Sequence, residues 1–131
     1  MKNIRRPADP RIRIALSIVE RQFHDPAFRL QNLAARVGLS RCYLSHSIKS
    51  ATGSGFRDHL RRVRIDSAVA LLMDPKLRVK EVATAVGFNS TGTFDREFNR
   101  VTGVSPTAWR CRVWNTAQLP KQKRMDRNSG A

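Results

Sequence analysis

The sequence predicts an all-α fold: two helix-turn-helix subdomains joined by one long linker helix, about seven helices in all. Three observations predict it. Apolar residues recur at three- and four-residue spacing through most of the chain, as the buried face of a helix requires. Residues that start and stop helices punctuate these stretches. A two-helix pattern in the first half then returns in the second, which marks an internal duplication.

The first helix opens at Asp9-Pro10, a capping residue followed by a proline suited to the first helical position, and closes by Asp25-Pro26. Ile12, Ala15, Leu16, Val19 and Phe23 form its inner face. A short helix from Leu30 to Val37 turns Leu33, Ala34 and Val37 inward, and Gly38-Leu39 breaks it. Ser40 caps the next, which carries Leu44 and Ile48 and ends near Thr52-Gly53. The linker helix runs from about Arg57 to Met73, with Leu60, Val63, Arg64, Ser67, Ala68, Leu71 and Leu72 as its stripe, and Asp74-Pro75 stops it. Pro106 opens a last helix carrying Trp109 and Val113. The expected organisation is a first helix-turn-helix subdomain over 9–55, the linker helix over 56–74, a second subdomain over 75–114, and a basic disordered tail over 115–131.

The duplication is specific. Leu33-Ala34 and Val37-Gly38-Leu39 return as Val82-Ala83 and Val86-Gly87-Phe88, and Leu44, Ile48 and Thr52-Gly53 return as Phe94, Phe98 and Thr102-Gly103. Small Ala34 and Ala83 let the paired helices approach, while Gly38 and Gly87 allow the backbone angles of a tight turn. At about 100° per residue, Phe94, Phe98 and Val101 face the core, so Gly92, Arg96 and Asn99 point outward with Asp95 and Arg100 on the flanks. In the first unit Cys42, His46 and Lys49 point outward, flanked by Ser45 and Tyr43.

Lys and Arg outnumber Asp and Glu by 25 to 10, for a formal charge of +15, which points to a polyanionic partner. Nucleic acid comes first and an anionic membrane surface second. No stretch approaches the roughly 20 apolar residues of a membrane span. After Lys2, Arg5 and Arg6 the chain meets Pro7 and Asp9 instead of the apolar run of a signal peptide, so the protein reads as cytoplasmic. Cys42 and Cys111 read as free thiols. No convergent acid, base and nucleophile is evident, which argues against an enzyme. Cys42 and His46 share one helix face, but two ligands fall short of the four of a structural zinc site; no metal or cofactor is expected.

An outward recognition helix suits a DNA major groove, whose base edges carry distinct donor and acceptor patterns. Arg96 is the sharpest reader, because a guanidinium can bond a guanine O6 and N7 together. Asp95 is expected to orient Arg96 or help the helix start. The poor helix formers Ser90, Thr91, Gly92 and Thr93 open this helix. Their small size lets its N-terminal end approach DNA closely.

Gly38-Leu39-Ser40, Leu44, Thr52-Gly53, Phe56, Arg64, Ala68, Leu71-Leu72, Val82-Ala83, Val86-Gly87-Phe88, Phe94, Phe98, Gly103-Val104-Ser105-Pro106 and Arg110 resemble the DNA-binding domain of AraC/XylS-type transcription regulators. The block GFNSTGTFDREFNRVTGVSPTAWR is particularly specific. The resemblance implies a nucleoid-associated regulator, usually an activator in contact with RNA polymerase, whose two recognition helices, about 40–51 and 90–101, enter successive major grooves. It implies either a short stand-alone member governed by abundance or the C-terminal part of a longer one.

Expected base contacts are Arg41, Cys42, Ser45 and His46 in the first unit and Thr91, Gly92, Asp95 and Arg96 in the second. Expected phosphate contacts are Ser40, Lys49, Arg57, Arg61, Arg62, Ser90, Thr93, Asn99, Arg100, Arg110 and Arg112. A linker helix of about 17 residues spans about 25 Å, short of the roughly 34 Å between grooves on one DNA face. The expectation is a monomer on an asymmetric, bent site. An alternative is an interaction protein that holds RNA polymerase or another regulator with only non-specific DNA contact.

Overall fold

The computed structural model describes residues 9–118, and among them there are seven helices and no strand. The helices are α1 (Pro10–Gln22), α2 (Leu30–Val37), α3 (Arg41–Thr52), α4 (Phe56–Leu71), α5 (Val79–Ala85), α6 (Thr91–Thr102) and α7 (Pro106–Gln118). Asp9 caps α1 by accepting from the Arg11 amide, and Pro10 stands at the first helical position. α2 and α5 open alike: Asn32 Oδ1 takes the Arg29 N–H at 2.9 Å and Glu81 Oε1 takes the Arg78 N–H at 2.7 Å.

Two apolar cores form, and α4 belongs to both. Phe56, Leu60 and Val63 join Ile12, Val19, Leu33, Leu44 and Ile48 in the first core. Ile65, Ala68 and Leu72 join Val82, Val86, Phe94 and Phe98 in the second. This division corrects the single stripe read from the sequence, which missed the buried His59 and Ile65 and counted half-buried Ser67. A helix packed against one core has one stripe; α4 changes face at Arg64. The helix also ends earlier than expected, with Leu72 as its C-cap.

α7 continues through Asn115 to Gln118, past the expected boundary at 114. Residues 119–131 of the expected disordered tail lie outside the described residues.

Paired arginines close the ends of α1 and α4. Arg64 donates from Nε to the Phe23 carbonyl at 2.7 Å and from Nη2 to the Asp25 carbonyl at 3.0 Å. Arg110 does the same to Leu72 and Asp74, at 3.1 and 3.3 Å. In both cases the acceptors are the C-cap residue and the second residue after it, where helix carbonyls lack intrahelical donors. Each turn is further fixed by an aspartate, Asp25 accepting from the Ala27 amide and Asp74 from the Lys76 amide, both at 2.9 Å.

Candidate nucleic-acid interface

α3 and α6 each open on a serine. The Ser40 hydroxyl accepts from the Tyr43 amide and the Ser90 hydroxyl from the Thr93 amide, both at 3.1 Å. Each helix closes on a threonine whose hydroxyl bonds back to a carbonyl at 2.9 Å, Thr52 to Ile48 and Thr102 to Phe98. Leu44 and Ile48, and Phe94 and Phe98, are fully buried and set the rotation of the two helices. The second is held by a run of rings: Phe88–Phe94 at 5.4 Å, Phe94–Phe98 at 5.6 Å and Phe98–Trp109 at 6.3 Å.

With that rotation fixed, Arg41, Cys42, His46 and Lys49 are exposed on α3, and Thr91, Gly92, Asp95, Arg96, Asn99 and Arg100 on α6; Ser45 and Thr93 are half-buried. Tyr43, flanking this face, donates its hydroxyl to Asp9 at 3.1 Å and so ties α3 to the start of α1. Asp9 also pairs with Arg11 at 3.0 Å, and the bond from Arg11 lowers its carboxyl from the ordinary 3.8 to about 2. The same pair raises the Arg11 pKa.

Arg96 lies back along α6, with Nη2 at 3.4 Å from the Thr93 hydroxyl, a long contact easily given up. The side chain that Arg96 meets is Thr93 rather than Asp95, whose carboxylate is exposed. The Thr93 hydroxyl also receives the Ser90 hydroxyl at 3.0 Å, a local bond that offsets the weak helix propensity of this turn.

The expected phosphate set divides. Arg57, Arg62 and Arg112 are exposed. Arg110 is half-buried and committed to the end of α4, because its position on α7 faces those carbonyls. Arg61 is engaged with Asp58 at 2.7 Å and with Glu97 of α6, its side chain 23% exposed. Ser40 and Ser90 present exposed residues whose hydroxyls already cap helices.

Sequence reasoning missed Glu97, which lies only three residues from Arg100 and was hidden by its outward neighbours. The sequence does place an arginine, Arg64, within an apolar stripe. A guanidinium there needs carbonyl or carboxylate partners, and this was the available signal.

An open cleft of about 940 Å³ separates the two units. Arg41 and Ser45 line one side, Asn89 and Thr93 the other, and Arg57 and Arg61 of α4 lie between. The floor sets Arg57, Arg61 and Arg64 against Asp58 and Glu97, a lining with a net positive charge between α3 and α6. Cys42 and His46 have no third His, Cys, Asp or Glu beside them among the described residues. No helix among those residues is long and apolar enough to cross a membrane.

Residues 33–112 match a family described as Helix-turn-helix domain. The chain is 30% identical over 114 residues to Regulatory protein PocR of Salmonella typhimurium, covering 87% of this chain and 37% of PocR. It is 33% identical over 86 residues to the HTH-type transcriptional activator RhaR of Cronobacter sakazakii, covering 66% of this chain and 30% of RhaR. The chain thus spans about a third of the length of the curated relatives it matches. Among solved structures it resembles the C-terminal domain of AraT, a response regulator from Geobacillus stearothermophilus, with a TM-score of 0.77, 28% identity and coverage of 86% of this chain and 90% of that one. It also resembles the DNA-binding domain of AdpA in complex with a target DNA, with a TM-score of 0.76, 30% identity and coverage of 85% and 97%. The fold, the duplicated unit and these relatives agree, and the chain belongs to the AraC-type helix-turn-helix family of DNA-binding transcription regulators, which are not enzymes.

Proposed function

We propose that the chain binds double-stranded promoter DNA sequence-specifically, as a monomer, with α3 and α6 in successive major grooves of a bent site. The observation that carries this reading is the pair of equivalently capped helices, each presenting an exposed polar face, on either side of one cleft in a chain of charge +15. α6 reads through Arg96, with Thr91, Gly92 and Asp95 beside it, and α3 through Arg41, Cys42, Ser45 and His46. Lys49, Asn99, Arg100, Arg57, Arg62 and Arg112 supply the phosphate contacts that position both. The 16 residues of α4 rise only about 24 Å, which favours bending over a straight duplex. Likeness to RhaR, a transcriptional activator, supports activation as the outcome, and the partner proposed for it is RNA polymerase.

Selection of sites from a random DNA pool with purified protein tests the reading. An enriched two-part motif is expected, and Arg96→Ala should cost about 1–3 kcal/mol at its contacted base and relax specificity there. A pool with no enriched motif would sink the specific-regulator reading in favour of an interaction protein with non-specific DNA contact.

A further inference from the structure

One junction between the two units is built around Arg64, midway along α4. From the first unit come the Phe23 and Asp25 carbonyls at the end of α1, which accept from the guanidinium at 2.7 and 3.0 Å. From the second comes Phe88, whose ring centroid lies 5.7 Å from the guanidinium carbon. The Phe23 side chain packs against both cores. Gly87 completes the contact: a Cβ there would stand 2.6 Å from the Phe23 carbonyl oxygen and 2.9 Å from Arg64 Nε. The turn of the second unit therefore touches the end of α1 at a distance no side chain permits.

A guanidinium suits this place because its edge can serve two carbonyls while its face meets a ring. An ammonium cannot do both. Arg110 provides the internal contrast, since it makes the same two bonds at the end of α4 but stacks on no ring among the described residues.

We infer that Arg64 is a positioning residue that fixes α3 relative to α6 and thereby sets the spacing between the two DNA elements that the protein accepts. The consequence for DNA rests on the two-helix reading given above, while the junction itself can be tested without DNA. The native cysteines are exposed and lie one in each unit, Cys42 on α3 and Cys111 on α7. Nitroxide labels on both would report the distance between the units by pulsed dipolar spectroscopy. Wild-type protein should give a narrow distribution. Arg64→Met, with helicity retained by circular dichroism, should at least double its width; an unchanged width overturns the inference. If Arg64→Met does not fold, Arg64→Lys, which keeps the charge and one donor, is read against the same two outcomes.

On DNA, the selected site is then rebuilt with one base pair added or removed between its two elements. Wild type should lose about tenfold or more in affinity, and Arg64→Met should lose at most a few-fold. Full wild-type discrimination in a variant whose distances have broadened would overturn the role in spacing. Failure of the wild-type protein to select a two-part site would instead count against the proposed function and leave the distance measurement to decide the junction.

Discussion

The two helix-turn-helix units share their backbone solutions and differ in what fills and faces them. Both use a serine cap, a threonine hydroxyl at the closing turn, an aspartate turn and an arginine at a helix end. The first is filled by aliphatics such as Leu33, Leu44 and Ile48, the second by a run of four rings ending at Trp109. Ser47 occupies in α3 the position that Glu97 holds in α6, where Glu97 forms an ion pair with Arg61 of α4. Outward, His46 stands where Arg96 does and Cys42 where Gly92 does. Groups that satisfy the backbone are common to both copies, because an unpaired buried amide or carbonyl costs the same in each. Core and contact residues are free to diverge, and they do: aliphatics fill the first unit and rings the second.

The sharpest way to break this contrast is to remove its rings. Phe98→Ala should cost about 3–5 kcal/mol in urea denaturation, and exceed Ile48→Ala at the matching position by about 0.5–1.5 kcal/mol for the lost ring pairs. Equal losses would mean that the aromatic run adds nothing beyond burial. Next come the turn glycines, at φ 71° for Gly38 and 102° for Gly87. Gly38→Ala meets open space and should cost about 1–2 kcal/mol for its left-handed backbone, whereas Gly87→Ala also overpacks the junction and should cost about 2–4 kcal/mol.

Glu97→Gln should lower stability by about 1–2 kcal/mol, while Ser47→Ala stays within about 0.5 kcal/mol. Because Asp58 still holds Arg61 after this change, the slope of log affinity against log salt should stay near that of wild type; a slope steeper by about 0.9 would show that Glu97 alone keeps Arg61 from phosphate.

The smallest effect is confined to the first unit. The Asp9 carboxyl is lowered from 3.8 to about 2, chiefly by its bond from Arg11. A lowered carboxyl stabilises the fold fully above its unfolded pKa and loses that contribution as pH falls toward the folded value. Melting temperatures of wild type and Asp9→Asn should therefore differ at pH 5 and converge between about pH 4 and 2. A constant difference across that range would remove Asp9 from the account.

Helix order, caps and the duplication were legible in the sequence because each depends on neighbours a few residues apart. The expectation that Phe94 and Phe98 anchor α6 needed only helical spacing, and both are fully buried. What escaped were partners distant in sequence. The Phe23 carbonyl that holds Arg64 lies 41 residues away, and no local pattern points to it. Arg61 and Arg110 read as phosphate contacts for the same reason, since Glu97 and the Leu72 and Asp74 carbonyls come from distant parts of the chain. The stripe of α4 was misread at Ile65 because periodicity assumes one core, and this helix has two.

That divided helix also constrains the chain in a way substitutions do not probe. One residue inserted between Val63 and Ile65 would turn the second half of α4 by about 100° and lengthen it by about 1.5 Å. The exposed faces of α3 and α6 would then no longer share their present relative orientation. Side chains along α4 can be exchanged one at a time, but a change in its length would turn the whole second core against the first.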